Sequence, residues 1–167
     1  MPIYKSCNSQ GAQYSVAQTS VSPSDPATVT TLVAGADELD PANGGYITLL
    51  NGYSEVLNSG PAFEILPDGR VKILRSGIVK ISWYTDVGFA LGNTIVGAVF
   101  SVLRGATTIL SPRPIHGRLP VSADPANISG VGCIDALVGD IIGIAFACTR
   151  IGVITVTSSS IVFEHHG

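Results

Sequence analysis

Residues 67–87 constrain the fold more than any other stretch. Pro67, Asp68 and Gly69 are turn chemistry, because proline presets φ and glycine accepts φ > 0. After the turn, Val71 and Ile73 point one way, while Arg70 and Lys72 point the other. Beyond a hinge at Ser76-Gly77, Val79, Ile81, Trp83, Thr85 and Val87 share one face. Ile78, Lys80, Ser82, Tyr84 and Asp86 share the opposite face. A period of two marks a half-buried strand. Its apolar face needs a second layer to cover it, so the stretch implies a sandwich or a barrel.

The rest of the chain fits that architecture. Its 167 residues suit one domain with a sizeable core, and Val, Ile, Thr, Gly and Ser dominate, a β composition. Short strands are expected at 28–33, 46–50, 63–66, 95–103, 107–110, 128–137, 141–148, 153–157 and 160–165, in addition to the opening pair. Asn51-Gly52, Arg104-Gly105 and Val138-Gly139-Asp140 are the expected turns. No segment has a helical period. The strand Ile95–Leu103 is apolar on both faces, with Ala98, Phe100 and Val102 on one and Val99 and Leu103 on the other. This predicts a cover on each side, one of them a neighbouring subunit. Residues 111–120 carry Pro112, Pro114 and Pro120 and are expected to form an exposed loop. Residues 1–27 are polar and rich in proline, serine and threonine. They are expected to form an extended arm that grips another surface through Tyr4, Tyr14 and Val16, with the folded domain spanning 28–167.

Charge and hydropathy exclude some functions. A net charge of −3 with no basic cluster argues against nucleic acid as a partner. A mean hydropathy of +0.41 points to an obligate oligomer. The longest apolar region, Val131–Cys148, is broken by Asp135, Gly139 and Asp140 and is too short for a membrane span. The N-terminal residues have no apolar signal core, so folding in a cytoplasm is expected. Cys7, Cys133 and Cys148 lack metal or redox spacing. Buried free thiols are the expectation, and a Cys133–Cys148 bond across paired strands is the alternative.

Catalytic chemistry is sparse. His116, His165 and His166 are the only histidines. His165 and His166 are neighbours on a strand, so they point to opposite faces and cannot share one ion. No nucleophile elbow, phosphate loop or zinc-binding helix is present. Asp135 interrupts an apolar face and reads as a hydrogen-bonded or rim carboxylate, with an axial metal ligand as the other reading. Asp140 reads as a turn residue accepting backbone N–H bonds. No cofactor is expected.

The order of motifs resembles the C1q/TNF-like superfamily. Residues 68–73 followed by 76–81 resemble its strand and Gly-x-Tyr-x-Phe strand, with Val79 where the family has Tyr. Residues 101–105 resemble its hairpin ending in Asn-Gly. Leu137-Val138-Gly139-Asp140 matches Leu-x-x-Gly-Asp, and 159–164 resembles the closing strand. Bacterial and phage members are the most similar, including the C-terminal domain of collagen-like spore-surface glycoproteins. The resemblance implies a ten-stranded jelly roll that forms a homotrimer and serves as a surface, decoration or receptor-binding module. The reading is therefore a non-enzymatic bacteriophage capsid decoration or head-fibre protein on the virion surface, partnered by itself and by a major capsid or other particle surface protein. Val99, Phe100, Val102 and Asp135 are the candidate trimer contacts. Arg113, His116 and Arg118 are a candidate ligand loop for the rival reading, a receptor- or glycan-binding tip. A spore-surface protein is the other rival.

Overall fold

The computed structural model describes residues 14–31, 47–48, 52–89, 94–110, 115–119, 126–148 and 152–166. Among them are thirteen strand segments: β1 (Tyr14–Val21), β2 (Ala27–Thr31), β3 (Ile47–Thr48), β4 (Ser54–Ser59), β5 (Phe63–Ile65), β6 (Val71–Ile73), β7 (Gly77–Phe89), β8 (Thr94–Arg104), β9 (Thr107–Leu110), β10 (Ile115–Leu119), β11 (Ala126–Ala136), β12 (Ile141–Cys148) and β13 (Gly152–His166). The segments that were not expected are β1, β4 and β10.

Two antiparallel sheets face each other. The first runs β11-β7-β13-β1-β4, with β2 also on β13. The second runs β10-β8-β12-β6-β5, with β3 on β12 and β9 on β8. The alternation in β7 sets the sandwich: Val79, Ile81, Trp83, Thr85 and Val87 are buried, and the intervening residues are more exposed. Facing them from the second sheet are Ala98, Phe100 and Val102 of β8 and Ile142, Ile144 and Phe146 of β12, in one continuous apolar cluster. Each fully buried Ile or Phe there contributes about 1.5–3 kcal/mol. Trp83 meets Phe100 edge-on, with ring centroids 5.7 Å apart. Gly132 leaves room for that ring, since a Cβ there would lie 2.8 Å from Phe100 Cε2.

The turn between β11 and β12 was legible in detail. Gly139 has φ of +91° and its N–H donates to Ile73 O at 2.8 Å. The Asp140 carboxylate accepts from Leu137 N–H at 2.9 Å, as expected. It also takes a two-pronged ion pair from Arg104, with Nε to Oδ1 at 2.9 Å and the terminal nitrogen to Oδ2 at 2.6 Å. No atom lies within 4 Å of an added Gly139 Cβ. The Gly139→Val variant should therefore lose about 1–3 kcal/mol through backbone strain alone, read as a lower thermal midpoint. An unchanged melting curve would contradict this.

Several expectations are corrected. Residues 14–27 are not an arm: β1 lies inside the first sheet, paired along its whole length with β13 and on its other edge with β4. The expected boundary after residue 27 therefore does not separate arm from domain. Residues 115–119 are not loop but β10, at the edge of the second sheet on β8. The prolines flank the strand instead of interrupting it, and an edge strand keeps one side free of ladder bonds. The expected pair 153–157 and 160–165 is one strand, β13, with a register shift between Val156 and Ser158. Thr157 in that bulge donates to Asp86 O at 3.4 Å. The doubly apolar β8 is covered within the chain itself, since Val99 is 2% exposed in the single subunit. Finally, Cys133 is disulfide-bonded, whereas Cys148 is buried in the core and is not part of a disulfide. The two are therefore not bonded to each other, since of the pair only Cys133 is in a disulfide. Cys7 lies outside the described residues.

Candidate self-association face

The outward face of the first sheet is built by register. Across β11, β7, β13 and β1 its side chains form rows. The first row is Asn127–Asp86–Ser158. The second is Ser129–Tyr84–Ser160–Ser20, and the third Val131–Ser82–Val162–Gln18. The fourth is Cys133–Lys80–Glu164–Val16, and the fifth Asp135–Ile78–His166–Tyr14. Strand alternation forces this arrangement, because the residues between them along each strand face the core.

Charge is confined to the outer rows, where Lys80 and Glu164 form an ion pair and Asp86 accepts a hydrogen bond. Asn127 Nδ2 donates to Asp86 Oδ1 at 2.8 Å. Lys80 Nζ lies 2.9 Å from Glu164 Oε2, and the Tyr14 hydroxyl donates to Glu164 Oε1 at 2.8 Å. Lys80 first, and then Tyr14, hold the Glu164 carboxyl below the usual carboxylate range. The same bond to Glu164 pushes the Tyr14 hydroxyl up. The His166 ring sits edge-on to Tyr14 at 5.4 Å.

The two middle rows carry no charge. Tyr84 is 44% exposed and Val131 is 64% exposed. Between Val131 and Val162 the small Ser82 leaves a shallow hollow of about 370 Å3, rimmed by Tyr84, Ser129 and Ser160. Gln18 Nε2 donates to Ser160 Oγ at 2.9 Å and so fixes one wall.

The residues picked from sequence fall in different places. Tyr14 and Val16 lie on this outward face, in rows five and four, and Asp135 is at the end of row five. Phe100 and Val102 do not belong to any outer surface; both are in the core between the sheets. Val99 is on the other side of β8 and is buried there. Tyr4 and Arg113 lie outside the described residues. His116 and Arg118 are on β10. Sequence reasoning missed Tyr84, Ser82, Val131 and Val162. The available signal was Tyr84 and Ile78 on the nominally polar face of β7.

The two C-terminal histidines separate as their adjacency demands. His165 is buried at 1% exposure, and its Nε2–H donates to Arg75 O at 3.0 Å, clasping the hinge before β7. His166 faces outward. Among the described residues, no three His, Cys, Asp or Glu side chains gather as a metal site. No helix among them is long and apolar enough to cross a membrane.

No protein-family model and no curated protein sequence matches this chain. Solved structures do. Murine APRIL at pH 5.0 is 14% identical, with a TM-score of 0.57 over 92% of this chain and 99% of that one. The globular domain of zebrafish complement 1qA is 10% identical, with a TM-score of 0.54 over 90% of this chain and 94% of that one. The fold is a C1q/TNF-like jelly roll. The same fold extends to PRD1 vertex protein P5, which is 13% identical, with a TM-score of 0.51 over 92% of this chain and 97% of that one. At these identities the likeness is one of fold, and it matches the sandwich that the alternation in β7 implies.

Proposed function

We propose that the protein is a non-enzymatic structural module that assembles as a homotrimer on a virus particle, as a bacteriophage capsid decoration or head-fibre protein. The observation that carries the reading is the uncharged middle of the first sheet's outward face, with Tyr84 and Val131 exposed between the hydrogen-bonded Asp86 on one side and the Lys80–Glu164 ion pair on the other. A face with an uncharged, partly apolar centre and a polar rim suits self-association. The C1q/TNF-like fold and the mean hydropathy of +0.41 support self-association. Similarity to a protein named for a particle vertex supports the particle setting. A non-catalytic role is supported by His165, whose ring is committed to the backbone carbonyls of Arg75 and Ser76.

Two measurements test the reading. Sedimentation equilibrium on dilute protein should return about three chains per particle, and a stable folded monomer would overturn the trimer. Purified phage capsids lacking this component should pull the protein down on co-sedimentation. Protein left wholly in the supernatant would overturn the decoration role.

A further inference from the structure

Cys133 holds a disulfide at one end of the first sheet's outward face. The chain has three cysteines, Cys7, Cys133 and Cys148. Cys133 is disulfide-bonded and Cys148 is not part of a disulfide, which leaves Cys7. Burial points the same way. Cys133 lies opposite Lys80 on β7, two residues from Val131, which is 64% exposed, yet it is itself only 3% exposed. The core cluster takes in Ile134 and Ala136 but not Cys133, so packing between the sheets does not account for that burial. We propose that Cys7 is bonded to Cys133 within one chain, and that the bond straps the segment ahead of β1 across the first sheet as a redox-sensitive lock.

The reach of the chain allows it. β13 and β7 separate β1 from β11, so Tyr14 and Cys133, in adjacent rows, lie about 16 Å apart at ordinary strand spacing. Cys7 stands seven positions before Tyr14, and a chain of that length spans up to roughly 23–25 Å. The residues between them, Asn8, Ser9, Gln10, Gly11, Ala12 and Gln13, are all uncharged, so they can cross β13 and β7 without burying an ion. A bond between two copies would need an accessible sulfur, and Cys133 is buried within a single subunit. Closing the bond oxidises two thiols. Exchange with a small-molecule disulfide such as oxidised glutathione balances the step. The Sγ–Sγ bond forms as the bond in the oxidant breaks, and the two protons and two electrons leave on it as two thiols. The lock is therefore open in a reducing compartment and closed in an oxidising one.

The test uses the full chain purified in oxidised glutathione. It is denatured, alkylated and digested with trypsin and an aspartate-directed protease, which cuts at Asp135 and Asp140, between Cys133 and Cys148. Mass spectrometry should find the Cys7 peptide linked to the Cys133 peptide, and reduction should release both. A Cys133–Cys148 link, a link between two Cys133 peptides or an alkylated Cys133 would overturn the proposal. Thermal unfolding reads the lock. Dithiothreitol should lower the wild-type midpoint by roughly 5–15 °C, the effect of opening a long loop. Cys7→Ser, a change ahead of β1, should melt at the lower midpoint with or without reductant. A Cys7→Ser chain that kept the reductant-sensitive shift would assign the effect elsewhere and sink the pairing. Linked peptides with no shift on reduction would leave the bond standing and overturn the lock. Neither measurement depends on the self-association reading, because bond and strap lie within one subunit.

Discussion

A chain lacking residues 1–25 does not fold. It should be recovered as aggregate, without the far-UV signature of a β sandwich and without a cooperative melting transition. The reason lies in the position of β1. It is an inner strand, with Tyr14–Val21 paired to Ser159–His166 on one side and to β4 on the other. Its removal strips two ladders at once and strands β4, which has no other strand partner among the described residues. Ala17 and Val21 leave the core, and Tyr14 no longer braces Glu164. Each lost backbone hydrogen bond is worth only about 0.5–1.5 kcal/mol net, but a whole inner strand sums to most of the roughly 5–15 kcal/mol that holds a domain together. A truncated protein that stayed soluble and melted cooperatively would show that β1 is dispensable, and the strand order of the first sheet would then need revision.

That strand also shows where sequence reading stops. The inward residues of β1 are Ser15, Ala17, Thr19 and Val21, all buried. Three of the four are small or hydroxyl-bearing, so hydropathy does not alternate even though burial does. The strand is paired on both edges and lies over a core whose bulk comes from its neighbours, Phe163 above all, so it needs little apolar mass of its own. In β7 the inward positions are Val79, Ile81, Trp83, Thr85 and Val87, and the period of two is plain. The difference is side-chain size, not geometry.

Polar breaks misled in a similar way. Ser158-Ser159 reads as a connection between two strands, yet the chain passes through it as one strand with a bulge. Ser159 is buried there and its hydroxyl donates to Tyr84 O at 2.8 Å, while the Tyr53 hydroxyl lies 2.8 Å from Ser159 Oγ. Burial pushes that Tyr53 hydroxyl up to about 12. A buried serine that finds partners is as good a strand residue as a valine, but no pattern of hydrophobicity announces it. The candidate trimer contacts went astray for a related reason. A strand that is apolar on both faces was assigned a neighbouring subunit on one side, when small residues such as Ala145 and Ala147 on β12 accompany Val99 in burial within the chain. The face that is exposed, around Tyr84 and Val131, is the one whose alternation had marked it polar.

The remaining large effect belongs to the ion pair at the end of the sandwich, and its two halves should not be equivalent. Arg104 closes β8 and Asp140 opens β12, so the pair ties two neighbouring strand ends together. Arg104 also donates to Asp135 O at 3.0 Å, and the Asp140 carboxylate raises the guanidinium's already high pKa. The Asp140 side chain is 2% exposed, whereas 29% of Arg104 reaches water. Removing the arginine leaves a carboxylate in the interior with Leu137 N–H as its remaining partner shown here. Removing the acid leaves a guanidinium that can turn to solvent. Arg104→Met should therefore cost about 3–5 kcal/mol, the usual range for stranding a buried charge, and lower the thermal midpoint by roughly 6–20 °C. Asp140→Asn keeps an oxygen for Leu137 N–H and should cost about 1–3 kcal/mol. Thermal unfolding of both variants beside the wild type checks the order. Equal midpoints for the two variants, or a smaller loss in Arg104→Met, would mean that Asp140 gains water once its partner is gone and that the end of the sandwich is more open than its 2% exposure indicates.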